Sequence, residues 1–120
     1  METMKPDLPL LHLHAQEQEH AEAWVVGNRA GLVALRDALD RALAMNVPTS
    51  AHAFVNDGEG FALIVIPDDS PWLSPAWTQA ARPYTDAIAV NNIDALMPWR
   101  RLAAGEYKRL AQPLETDTTP

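Results

Sequence analysis

A chain of 120 residues is one domain, long enough to bury roughly 65% of its unfolded surface. It contains no cysteine, which excludes disulfides and thiolate metal sites, and its net charge of −7 argues against non-specific nucleic-acid binding. No apolar run is long enough to span a bilayer, and Met1–Asp7 lacks the basic-then-apolar pattern of a signal peptide, so the expected location is the cytoplasm.

Residues 1–9, punctuated by Pro6 and Pro9, read as a flexible arm. Leu10 to Glu17 reads as a strand, with Leu11, Leu13 and Ala15 on one face and His12, His14 and Gln16 on the other. A short polar link leads to a second strand, Ala23 to Val26, and so to an antiparallel hairpin. Gly27-Asn28 ends that strand. Asn28 is the expected N-cap of a long helix whose buried stripe is Leu32, Leu35, Leu39, Ala42 and Leu43. Asp37 and Arg41 stand four apart in the favourable order for an ion pair. Asn46 and Pro48 stop the helix.

Ala51 to Val55 reads as a third strand and the Asp57-Gly58 turn as a hairpin signal. Phe61 to Ile66 follows without polar alternation, so it is expected centrally, with both faces partly covered. Asp68 to Leu73 reads as a loop and Pro75 to Arg82 as a short helix that Ser74 caps. Ala87 to Val90 fits a strand or a helical turn. Trp99 to Ala111 reads as helical, with Leu102, Tyr107 and Leu110 inward and Gly105 as its weak point. Residues 113–120 read as a disordered tail. The expectation is an α+β domain over residues 10–112. Its ββαββ core would be a mainly antiparallel sheet with one long helix on a face, and the C-terminal helical segments would cover the rest.

Five sets of residues bear on function. His12 and His14 share a strand face and, with His52, could approach one metal ion, but the spacing matches no diagnostic metal motif, so no metal and no cofactor is expected. Gly27, Asn28, Arg29 and Gly31 form a strand-to-helix turn that could aim amides at an anion, although it is neither a dinucleotide fingerprint nor a phosphate loop. Asp68-Asp69 could act as a carboxylate pair, and solvated acids in a loop are the plainer reading. Trp72, Trp77, Tyr84 and Trp99 fall in the irregular second half, where such residues anchor segments to the core or dominate protein interfaces. Arg100, Arg101, Lys108 and Arg109 form the one basic cluster. They are too few for a membrane-surface helix.

The run from Trp24 to Leu43 carries Gly27, Asn28, Gly31, Leu32, Leu35, Ala42 and Leu43. In that arrangement it resembles a strand, Gly-Asn turn and G-L-x-x-L helix of small bacterial proteins, some of them immunity proteins of polymorphic toxin systems. The similarity covers about a third of the chain and is structural, so it implies an interaction module and transfers no catalytic residue. The second half departs from that pattern. With no catalytic set in view, the leading expectation is a non-enzymatic protein-binding module for a basic partner. Asp57, Glu59, Asp68, Asp69 and Trp72 would be its contact surface. The other expectations are a small-molecule or anion binder on the Gly27–Gly31 turn and a metal-dependent enzyme on the histidines. A homodimer is compatible with all three.

Overall fold

The computed structural model describes residues 8–83 and 95–111, and within them the chain is α+β. Strands β1 (Leu11–His14) and β2 (Trp24–Gly27) pair antiparallel, with Leu11 opposite Gly27 and His14 opposite Trp24. Helix α1 (Arg29–Met45) follows, then β3 (Thr49–Phe54) and β4 (Gly60–Val65), paired antiparallel from Thr49–Val65 to Phe54–Gly60. Helix α2 (Pro75–Thr78), a 3-10 turn (Pro98–Arg101) and helix α3 (Glu106–Ala111) complete the elements. The readings for Tyr84–Asp86, Ala87–Val90 and Asn91–Ile93, most of the arm and the tail lie outside the described residues.

The expected single sheet is instead two two-stranded ribbons. One parallel bridge, Leu10 to Phe54, joins them, where the Phe54 amide donates to the Pro9 carbonyl at 2.9 Å. The first ribbon is also shorter than its alternating pattern, four residues where eight were expected. Only Leu11 of its inward set is buried, and Leu13 and Ala15 are exposed. The pleat runs on in the sequence, but past Leu11 its inward positions are left open to water.

Asn28 holds the two halves of this region together. Its Oδ1 accepts from the Gly31 amide at 2.8 Å, the expected helix cap, and also from the Leu10 amide at 3.0 Å. Its Nδ2 donates to the Leu8 carbonyl at 2.8 Å, and its own amide donates to the Leu10 carbonyl at 3.1 Å. Two glycines make room for that segment. A Cβ on Gly31 would lie 1.9 Å from the Leu10 carbonyl oxygen, and one on Gly27 would lie 2.8 Å from the same atom. The helix ends at Asn46, in the left-handed region (φ 54°), with its amide on the Ala42 carbonyl.

The helix buries a different stripe from the one its leucines suggest. Gly31, Ala38 and Ala42 are the buried residues of α1; of the expected stripe Ala42 is buried and Leu35 half-buried, whereas Leu32, Leu39 and Leu43 are exposed. The reason is close approach. Ala38 and Ala42 belong to the same small-residue core as Ala51 and Ala53 of β3, and the Thr49 hydroxyl donates to the Ala38 carbonyl at 2.8 Å. Leucines on that face would hold helix and ribbon apart and break the bond. Arg41 does not pair with Asp37 either. It donates to the Ser50 carbonyl at 2.9 Å, tying the helix to β3, while Asp37 takes Arg36.

Strand β4 is half-buried at every residue from Phe61 to Val65, as its unbroken apolar run predicts, and it has one strand neighbour rather than two. Helices α1 and α3 both pack against it. The expected helix from Trp99 to Ala111 is divided, because Gly105 takes φ 87° and starts α3 anew after the 3-10 turn. Leu110 is buried in that helix, and Tyr107 is exposed rather than inward.

Two substitutions separate the real core face from the apparent one. Ala38→Leu should lower unfolding stability by about 1–3 kcal/mol through overpacking, whereas Leu43→Lys should change it by less than about 0.5 kcal/mol. Urea unfolding of both variants measures the contrast. Asn28→Asp keeps the cap acceptor but removes the donor to Leu8, so it should destabilise the protein while leaving the helical far-UV signal of the native state unchanged.

Candidate functional site

Five residues were expected to form one contact surface, and the structure places them at two ends of β4. Asp57 and Glu59 lie in the β3–β4 turn, before Gly60. Asp68, Asp69 and Trp72 lie beyond Val65, so a six-residue strand, roughly 20 Å long at about 3.3 Å per residue, separates the two groups. Asp57 is committed to its own turn. Its Oδ1 accepts from the Glu59 amide at 3.0 Å, and Gly58 takes φ 92° between them.

The second group is built around an ion pair 33 residues apart in sequence. Asp68 Oδ2 accepts from Arg101 Nε at 2.7 Å, with only 15% and 14% of the two side chains exposed. Asp68 Oδ1 accepts from the Ser70 amide at 3.0 Å. Hydrogen bonding to the Ser70 side chain, then to Arg101 and the Ser70 backbone, holds the carboxyl down from 3.8 to about 2. Arg101 also donates to the Ala76 carbonyl, and its guanidinium lies 5.1 Å from the centre of the Trp77 ring. One arginine thus locks the loop after β4, helix α2 and the 3-10 turn. In the sequence Arg101 stands among four clustered cations, and its partner lies too far along the chain for any spacing rule to join them.

The locked loop presents a pair of large apolar side chains. Trp72 is 81% exposed and Leu73 is 78% exposed. Their turn is closed by the Ser74 amide and hydroxyl, both donating to the Pro71 carbonyl at 2.9 Å and 2.7 Å. Asp69, next along, is exposed, whereas Asp68 spends its charge on Arg101. Trp77 and Trp99 are each about half-exposed. Beyond the strand, Asp57 and Glu59 do not join this surface.

The Gly27–Gly31 turn is occupied by the protein itself. The Asn28 amide goes to the Leu10 carbonyl, the Gly31 amide to Asn28 Oδ1 and the Leu32 amide to the Asn28 carbonyl. The Leu10 carbonyl oxygen therefore fills the cradle in which an anion would be held, and Arg29 stands exposed outside it. The histidine set does not assemble either. His12 and His14 have ring centroids 6.1 Å apart, edge to face, and His12 Nε2 accepts from the Asn56 amide at 3.2 Å. Among the described residues, no three His, Asp or Glu side chains converge as metal ligands. No helix among them is long and apolar enough to cross a membrane.

Comparison with protein-family models, with curated proteins and with solved structures finds no match to this chain.

The Asp68–Arg101 lock should be pH-dependent in a defined window. Because folding lowers the Asp68 pKa from 3.8 to about 2, its contribution is complete above pH 4 and is lost as pH falls from 4 towards 2. Asp68→Asn should therefore unfold at a lower temperature than the parent at pH 6, with the gap narrowing towards pH 2. A constant gap across thermal scans at several pH values would contradict this.

Proposed function

We propose that the chain is a non-enzymatic protein-binding module, of the immunity-type inhibitor class, that grips a basic partner through Trp72 and Leu73. The observation that carries this reading is the exposure of two adjacent large apolar residues on a turn that is braced at both ends. Exposing such a pair to water is unfavourable, and bracing the turn lowers the entropy lost on binding. Tryptophan is the residue type most enriched at the energetic centre of protein interfaces. Asp69 supplies local negative charge beside it, and the net charge of −7 steers a cationic partner towards the molecule. Within the acidic surface expected from sequence, Asp69 and Trp72 are the contact residues of this reading, and Asp68 is their support.

The test starts from the full chain immobilised in bacterial lysate, with each captured protein then purified and titrated by calorimetry. Trp72→Ala should weaken a true partner by about 30-fold, the equivalent of a 2 kcal/mol hot spot. Asp69→Asn should slow association and reduce its dependence on salt. A captured basic protein that binds Trp72→Ala as tightly as the parent would remove the assignment.

A further inference from the structure

Strand β2 is unusually bare. Trp24, Val25 and Val26 are 60%, 52% and 58% exposed, so three consecutive residues leave both faces of the strand open to water. One edge of β2 pairs with β1. The other has no strand neighbour among the described residues. Natural edge strands are blunted by charge, proline or a bulge, and Trp24–Gly27 contains no charge and no proline and pairs with β1 without a bulge. A two-stranded ribbon alone is also only marginally stable in water.

We infer that the free edge of β2 pairs antiparallel with β2 of a second copy of this chain, making a four-stranded β1-β2-β2-β1 sheet across a twofold axis. The sequence of the edge is what selects a second copy. Twofold antiparallel pairing places one residue opposite itself, and the registers centred on an exposed apolar residue are those at Trp24, Val25 and Val26. Centring on Trp24 sets Val26 against the partner's Glu22. Centring on Val26 sets Trp24 against the partner's Asn28. Centring on Val25 sets Val25 against itself and Trp24 against the partner's Val26 on both sides of the axis.

That last register matches apolar with apolar throughout, and aromatic against β-branched is a favourable cross-strand pair. Within Trp24–Gly27 it also brings no charges face to face, because that strand carries none. For a chain of net charge −7, an uncharged strand is the place where two copies approach with least repulsion. Leu13, exposed on the face that carries Val25, and the Trp24 side chain extend the covered apolar area away from the backbone ladder.

The absence of cysteine makes the test direct, because a single introduced thiol can oxidise only across two copies. Opposed residues in this register have Cα atoms about 4.5–5.5 Å apart, within disulfide reach. Val25→Cys in the full chain should form the linked dimer at least about tenfold faster than Thr78→Cys on α2, because pairing raises the effective thiol concentration. Light scattering should give twice the chain mass for the parent and the single-chain mass for Val25→Lys, whose exposed site allows folding. A parent that stays single-chain at high concentration overturns the inference, whether or not a different protein binds there. So does equal cross-linking of the two cysteine variants, or a Val25→Lys chain that still dimerises. Trp72→Ala leaves all these readouts unchanged, so failure here is distinct from failure of the Trp72 surface.

Discussion

The structure depends on the side chain of Asn28. One amide group satisfies a helix N-terminus and clamps the backbone of Leu8–Leu10 from both its donor and its acceptor ends. No other small residue supplies both functions: serine or aspartate would cap the helix, but neither would reach the Leu8 carbonyl as a donor in the same pose. The clamp works because Gly27 and Gly31 let backbone approach backbone. Its consequences spread outward. Leu10 is held beside Phe54, the two ribbons are joined, and the start of α1 is set against the Leu10 backbone.

From that anchor the helix continues at close range along β3. Small side chains mediate this contact, so its stability comes from packing density and backbone hydrogen bonds more than from large apolar areas. The larger apolar residues are left on the outside, along α1, on β2 and at the Trp72 turn. A chain of this size that packs its helix on alanines and leaves Leu32, Leu39, Leu43, Trp24 and Trp72 exposed has surface to spare for association.

Much of this was legible in the residues. Asn28 as cap, Asn46 as stop and Asp57-Gly58 as hairpin turn each follow from the local chemistry of one or two side chains, and each is seen. The buried face of α1 was not legible, because periodicity ranks faces by hydrophobicity and cannot register that a glycine at the helix start fixes the approach distance. The division into two ribbons was hidden for a similar reason. Strand pairing beyond a hairpin is a long-range event, and among the described residues the strand pairing between the two ribbons is one bridge, Leu10 to Phe54. The pairing of Arg101 with Asp68 was not legible because the contact crosses 33 residues, whereas Trp72, expected on a contact surface from its place in the irregular second half, is exposed.

The Leu8–Leu10 segment also imposes an order on synthesis. Its backbone partners are Asn28 and Phe54, so the earliest described part of the chain is among the last to be satisfied. At about 5–20 residues per second, some 2–9 seconds separate the addition of Pro9 from that of Phe54. During that interval Asn28 can already engage Leu8 and Leu10, whereas the Pro9 carbonyl waits for the Phe54 amide to close the second junction. Joining of the two ribbons is therefore a late event that waits on β3, after the Asn28 junction can form.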